Sequence, residues 1–121
     1  MSASSYKDLV VWQKAMDLCE EIYRLVKMLP KEETYALSDQ MRRSAVSIPS
    51  NIAEGQDRNS NREFSNFLYI ARGSRAELET QLTICQKVGY LTNDDTAKAA
   101  NLLREIGKML TTLIIKLKTE N

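Results

Sequence analysis

The sequence predicts an all-α protein folded as an antiparallel, up-down-up-down four-helix bundle. Apolar residues recur at every third or fourth position in four separate segments, as the buried face of a helix requires. Only 4 glycines and 2 prolines occur among 121 residues, so little of the chain suits sheet turns. The connections between the four segments are short, which favours antiparallel neighbours.

The first helix is predicted from about Asp8 to Leu29. Pro30 and the charged stretch 31–33 end it and form a short connection, because proline cannot continue a helix. The predicted inward residues are Trp12, Ala15, Met16, Cys19, Ile22, Tyr23, Val26 and Leu29.

The second helix has Ser38 as its predicted N-cap. Pro49 lies within this helix, where it removes a backbone donor and collides with the carbonyl group of Ala45. We therefore expect either a kink at Pro49 or another donor for the freed carbonyl oxygen. The predicted inward residues are Met41, Ala45, Ile48 and Ile52.

The third and fourth helices have the clearest boundaries. Ser60 with Glu63, and Thr92 with Asp95, place a hydroxyl and a carboxylate three residues apart, which is typical of a helix start. Gly89 can adopt the left-handed conformation that ends the third helix. The predicted inward residues are Phe64, Phe67, Leu68, Ala71, Leu78, Leu82, Cys85 and Val88 in helix three, and Leu103, Ile106, Leu110, Leu113, Ile114 and Leu117 in helix four.

Composition predicts one domain over residues 1–121, with the bundle at about 8–118 and short flexible termini, including a fraying tail after Lys116. The chain is 43% hydrophobic and 27% charged, and it has neither a membrane-spanning run nor a signal peptide. We therefore expect a cytoplasmic protein without membrane contact. Cys19 and Cys85 fall at core positions, where we expect buried thiols, a disulfide being the less favoured alternative.

The residue types present favour a protein without enzymatic activity. The chain contains no histidine, its two cysteines lack metal-ligand spacing, and no glycine-rich phosphate loop occurs. We therefore predict no catalytic residue, no cofactor, no metal site and no small-molecule substrate. The alternative is a small acid/base enzyme centred on Glu54 and Asn51.

The segment Arg42–Gly55 departs from the pattern around it, because small polar residues stand where a core helix has leucines. Ser47 and Asn51 are expected to hydrogen-bond the backbone loosened by the proline between them. Glu54 lies in the last turn of a helix, where the dipole disfavours a carboxylate. It therefore needs a cation, from Arg72, from Arg75 or from an arginine of a neighbouring subunit.

Charge is nearly balanced overall, at +1, but it is unevenly distributed. Residues 42–75 contain six arginines, three carboxylates and no lysine, a net charge of +3. Arginine suits bidentate pairing with carboxylate or phosphate. These arginines either pair within the fold or at a subunit contact, or they bind RNA, DNA or a protein partner, in which case replacing Arg42 and Arg43 by alanine should weaken RNA binding.

Five stretches together resemble one protein family: DLVVWQKA, an LP followed by acidic residues, LSDQMRRSAVSIPSNIAEG, EFSNFLYIARGSRAELETQL and VGYL. The sequence is similar over about Tyr6–Leu117 to the four-helix-bundle proteins encoded in 23S rRNA intervening sequences, also called S23 ribosomal protein-like. The resemblance implies an antiparallel four-helix bundle that assembles into a ring-like homopentamer, with no established catalytic residue. The family's characteristic positions correspond here to Gln40, Arg42, Arg43, Ser47, Ile48, Asn51, Ala53, Glu54, Gly55, Phe64, Gly73, Ser74, Glu77 and Leu78.

Small residues indicate where helices or subunits approach closely. Gly73 in mid-helix costs about 1 kcal/mol relative to alanine, so a close neighbour should benefit from the missing side chain. The candidate assembly or partner surface combines two glycines, which permit such a close approach, with polar and charged residues of the second and third helices. It comprises Gln40, Arg42, Arg43, Ser47, Asn51, Glu54, Gly55, Arg72, Gly73 and Arg75.

Overall fold

The computed structural model describes residues 5–120 and contains the four predicted helices, with no strand in that range. The expected flexibility of the termini concerns residues 1–4 and 121, which lie outside the described part, although helix four extends beyond Lys116 without a break. Short 3-10 turns precede the first and second helices, at Tyr6–Asp8 and Lys31–Glu33. The helices are α1 (Val10–Val26), α2 (Leu37–Gln56), α3 (Asn61–Lys87) and α4 (Asn93–Thr119).

Each helix packs against its neighbours in sequence, and α1 also packs against α4, which closes the bundle. Contacts between α3 and α4 run in opposite directions along the two helices. Near the end of α3, Gln86 donates a hydrogen bond to Thr96, whereas the earlier Arg75 donates to the carbonyl oxygen of Leu103. The predicted antiparallel four-helix bundle is confirmed.

Local signals determine most helix ends. Ser60 Oγ accepts a hydrogen bond from the Glu63 backbone, and Thr92 forms the complete capping box with Asp95. Gly89 has a φ of +87°, as predicted for the end of α3.

The N-cap predicted for helix two is wrong. Helix α2 begins at Leu37, after Ala36, and Ser38 is buried in its first turn. The Glu33 carboxylate, in the preceding 3-10 turn, accepts a hydrogen bond from the Leu37 backbone at 3.3 Å. A side chain from outside the helix therefore supplies the acceptor that a serine cap would have provided.

The core follows the predicted face of α2 but only part of that of α1. All four predicted inward residues of α2 are fully buried. In α1, Met16 and Tyr23 were expected to point inward but are 41% and 46% exposed, while Leu18 and Leu25 are fully buried. Helix α1 packs against both α2 and α4, so its buried face is centred between these neighbours. Val88, also expected inward, follows the end of α3 and is exposed.

Helix α2 continues through Pro49, and a kink there stays a prediction. The carbonyl oxygen of Ala45, which Pro49 cannot satisfy, accepts a hydrogen bond from Cys19 Sγ of α1 at 3.2 Å. Burial raises the pKa of Cys19 to about 11, so the group remains a thiol that can donate. Cys19 and Cys85 are both free thiols, as predicted, but only Cys85 is buried and Cys19 is half-buried.

A double-mutant cycle tests the relation between Cys19 and Pro49. Replacing Cys19 by alanine leaves the Ala45 carbonyl without its side-chain donor, whereas Pro49→Ala restores a backbone N–H four residues later. The cost of Cys19→Ala, measured by urea unfolding, should therefore be smaller by about 1 kcal/mol in the Pro49→Ala background. Equal costs in both backgrounds would show that the thiol contributes only packing.

Candidate functional site

A polar groove lies between α2 and α3 at the surface of the bundle, with a volume of about 280 Å³. It contains three of the predicted candidate residues and four others. We call it the α2–α3 groove, and its lining comprises Gln40, Arg43, Ser44, Ser47, Ser74, Glu77 and Gln81.

One hydrogen bond joins the two helices at this groove, and two others lie within α2. The hydroxyls of Ser47 and Ser74 lie 2.8 Å apart. The Asn51 amide donates to the Ser47 carbonyl oxygen at 2.8 Å and to its hydroxyl at 3.0 Å. Asn51 therefore bonds the backbone of Ser47, whereas the carbonyl group that Pro49 frees, that of Ala45, is bonded by Cys19 and by neither Ser47 nor Asn51.

Gln81 is the lining residue whose side chain is least satisfied. It is 9% exposed, and its Oε1 atom has no hydrogen-bond partner among residues 5–120. A buried acceptor left without a donor costs about 1–3 kcal/mol, so Gln81 is a weak point in the packing beneath the groove. The sequence reasoning missed Gln81, although a polar residue between Leu78 and Leu82 in an apolar row is a usable signal.

Arg42 and Arg43 are both held near one carboxylate. Arg43 Nε donates to Asp39 at 2.9 Å, and Arg42 Nη2 lies 4.0 Å from the other oxygen of Asp39. Arg42 also donates to the carbonyl oxygen of Thr34 at 3.2 Å. Much of the positive charge of this pair is therefore compensated within the chain.

The cation that pairs with Glu54 is a residue close to it in the sequence. Arg58 Nη2 donates to Glu54 at 2.8 Å, one helical turn further along the chain. The expectation that Arg72 or Arg75 fills this place is wrong, because both arginines lie on the side of α3 that faces α4. Arg58 also stacks on the Phe67 ring, at 4.8 Å from its centroid.

The two candidate glycines differ in the space around them: Gly55 is tightly enclosed, whereas Gly73 faces open space. A Cβ atom on Gly55 would lie 2.8 Å from Phe67 Cβ and 2.9 Å from a ring carbon of Phe64. Gly55 therefore permits the close approach of α2 and α3 that the sequence predicted. Around Gly73, in contrast, such a Cβ atom would meet no described atom within 4 Å apart from its own chain neighbours and the adjacent backbone of α3.

Arg72 and Arg75 belong to a second surface, between α3 and α4. Arg75 Nε donates to the Leu103 carbonyl oxygen at 2.6 Å, and the Arg75 guanidinium lies across Gly107. Arg72 lies over the Tyr69 ring at 5.0 Å. The ten candidate residues therefore do not form one site, since these two point away from the α2–α3 groove.

Residues 5–120 present polar and charged side chains at the surface of the bundle. In that range no three histidine, cysteine or acidic side chains cluster as metal ligands. No described helix combines the length and apolar character needed to cross a membrane. The fold and its grooves define an all-helical four-helix-bundle protein.

Comparison with known proteins identifies the family. Residues 7–112 match the model of the 23S rRNA-intervening sequence protein family, and the chain belongs to this family. A solved structure from Bacteroides thetaiotaomicron, described as a protein with unknown function from the S23 ribosomal protein family, is 32% identical. The similarity covers 87% of this chain and 98% of that one, with a TM-score of 0.80. None of the curated proteins compared with the chain matches it.

The two glycines provide a matched pair of substitutions. Gly55→Ala should destabilise the protein by about 1–3 kcal/mol, because the added methyl group collides with two phenylalanines. Gly73→Ala adds the same group in open space and should stabilise the isolated chain by about 0.5–1 kcal/mol through helix propensity. Urea unfolding at a dilution where the chain is monomeric measures both. A neutral Gly55→Ala would contradict the close helix contact.

Proposed function

We propose that the protein is a non-enzymatic scaffold of the cytoplasm that assembles with copies of itself into a homopentamer and presents arginines to a nucleic-acid or protein partner. The observation that carries the proposal is Gly73. It weakens a long helix, yet no part of the described chain occupies the space that it leaves open. A second copy packing against α3 would use that space.

Exposed apolar residues lie on the same face of α3 as Gly73. Ile70 and Ile84 are 52% and 42% exposed and are spaced from Gly73 by three and eleven residues, which places them in one row along the helix. We call this set of three residues the α3 outer row. Glu77 and Thr80 lie between Gly73 and Ile84 on this face, so the row combines two exposed isoleucines, an open position and polar side chains, a mixture that subunit contacts accommodate. The neighbouring α2–α3 groove adds further polar groups.

A closed ring needs two different patches that meet head to tail. A second exposed patch lies on the other side of α2, where Tyr23 of α1 and Val46 of α2 line one shallow groove. Met16 lies two turns before Tyr23 on the same side of α1 and is also exposed. The described residues thus offer more than one exposed surface for a head-to-tail contact, and the number five follows the family resemblance.

The alternative, an acid/base enzyme at Glu54 and Asn51, has weaker support. Glu54 is paired with Arg58, and the Asn51 amide is used within α2. Neither residue lines the grooves described above. Glu54 is thus an exposed carboxylate that already pairs with an arginine, and it offers no enclosed site in which a substrate would be held for proton transfer.

Mass in solution tests the assembly. We expect about five times the 13.8 kDa mass of one chain, measured by light scattering at micromolar concentration. A clean monomer would contradict the proposal, and a stable assembly of another size would contradict the pentamer.

A substitution in the α3 outer row localises the contact. Gly73→Leu should shift the assembly towards monomers, because the larger side chain fills the space assigned to a second copy. Ala97→Leu, which enlarges an exposed residue of α4, is the matched control and should leave the mass unchanged. Helical circular dichroism confirms that both variants fold. An unchanged mass for Gly73→Leu would place the contact elsewhere.

A further inference from the structure

A second and larger groove lies between α3 and α4, with a volume of about 580 Å³. We call it the α3–α4 groove. Four of its seven lining residues are cationic and none is acidic. The lining comprises Arg72, Arg75, Arg104, Gly107, Lys108, Thr111 and Thr112.

Three of these cations are not paired with a carboxylate of the described chain. Within residues 5–120, Arg72, Arg104 and Lys108 form no salt bridge, and Arg104 donates only to the neutral amide oxygen of Asn101, at 2.7 Å. This differs from Arg42 and Arg43, which share the carboxylate of Asp39.

The fourth cation, Arg75, contributes to the shape of the groove. Its Nε atom is bound to the Leu103 carbonyl oxygen, and one Nη atom lies 3.7 Å from Glu79. A Cβ atom on Gly107 would lie 2.5 Å from Arg75 Nε, so glycine is what allows the guanidinium to lie flat across α4. The groove is therefore built around a fixed arginine.

The positive charge continues along the bundle beyond the groove. Tyr69, which is partly exposed, has Arg72 on its ring at 5.0 Å and Lys118 at 5.4 Å. On α4, Arg104 and Lys118 are fourteen residues apart, which corresponds to about 21 Å of helix. An elongated row of cations beside an aromatic ring fits a chain of phosphates better than a single small anion.

We propose that the α3–α4 groove binds the phosphodiester backbone of a single-stranded nucleic acid. Arg72, Arg104 and Lys108 contact successive phosphates, and the hydroxyls of Thr111 and Thr112 add neutral donors. Tyr69 holds Arg72 and Lys118 through cation–π contacts and so fixes these two cations beside the groove. This inference deepens the proposed scaffold function, on which it rests, by assigning the partner and the surface that binds it.

Because the chain has a net charge of only +1, binding depends on this local concentration of cations and is sensitive to salt. An acidic protein segment carries similar charge but lacks bases and the regular phosphate spacing. Polyglutamate and inorganic phosphate therefore serve as competitors that separate these ligands from nucleic acid.

The test is fluorescence anisotropy of a labelled single-stranded RNA oligonucleotide of mixed sequence, titrated with the full-length protein at several salt concentrations. The triple variant Arg72→Ala, Arg104→Ala, Lys108→Ala should lose most of the affinity at low salt. Its slope of log affinity against log salt should fall by about 2, since each phosphate contact on a single strand contributes about 0.7. The charge-matched control is the triple variant Lys27→Ala, Lys31→Ala, Lys87→Ala, which removes three exposed cations outside the groove and should bind like the wild type.

Three results would overturn the inference. They are wild-type protein without salt-sensitive binding, a triple variant of the groove that binds like the wild type, and competition by polyglutamate or inorganic phosphate as strong as that by unlabelled RNA at equal charge.

Light scattering on the same samples distinguishes a failure of the groove from a failure of the assembly. A triple variant of the groove that loses RNA binding but retains the wild-type mass supports the groove. Wild-type protein that binds RNA through the groove as a monomer would contradict the assembly and leave the groove supported.

Discussion

Close packing of α2 against α3 determines where each candidate residue lies. Because Gly55 has no side chain, α2 lies in direct contact with the phenylalanines of α3. The hydroxyls of Ser47 and Ser74 form a hydrogen bond between the same two helices. Because these helices are in contact at small residues, their larger side chains point either into the core or outward. The outward positions carry the polar groove and the α3 outer row, while Arg72 and Arg75 are directed to the opposite side of α3.

Features encoded by nearby residues could be predicted from the sequence, and features that depend on packing could not. The helix boundaries at Ser60, Thr92 and Gly89 follow from side chains within three residues and from one backbone conformation. Periodicity alone does not say how a helix is rotated towards two neighbours. Met16 and Tyr23 fit an apolar stripe, yet they lie at its edge once α1 contacts both α2 and α4.

The same distinction applies to the candidate site. Arg58 as the partner of Glu54 could have been found, since the two are four residues apart on one helical turn. The contact of Arg75 with Leu103 and Gly107 joins residues about thirty positions apart, and no sequence pattern reports it. The sequence identified the arginine-rich segment. Only the packed structure shows that some of its residues lie at the α2–α3 groove and others at the α3–α4 groove.

In the proposed assembly, another copy of the chain covers the α3 outer row. The most direct measurement is the rate at which a thiol reagent labels a cysteine introduced at Ile84, compared with one at Ala97 of α4, over a range of protein concentrations. The labelling of Ile84→Cys should slow as the protein assembles, while that of Ala97→Cys should stay constant. Equal, concentration-independent rates at both positions in a protein that light scattering shows to be assembled would contradict the claim.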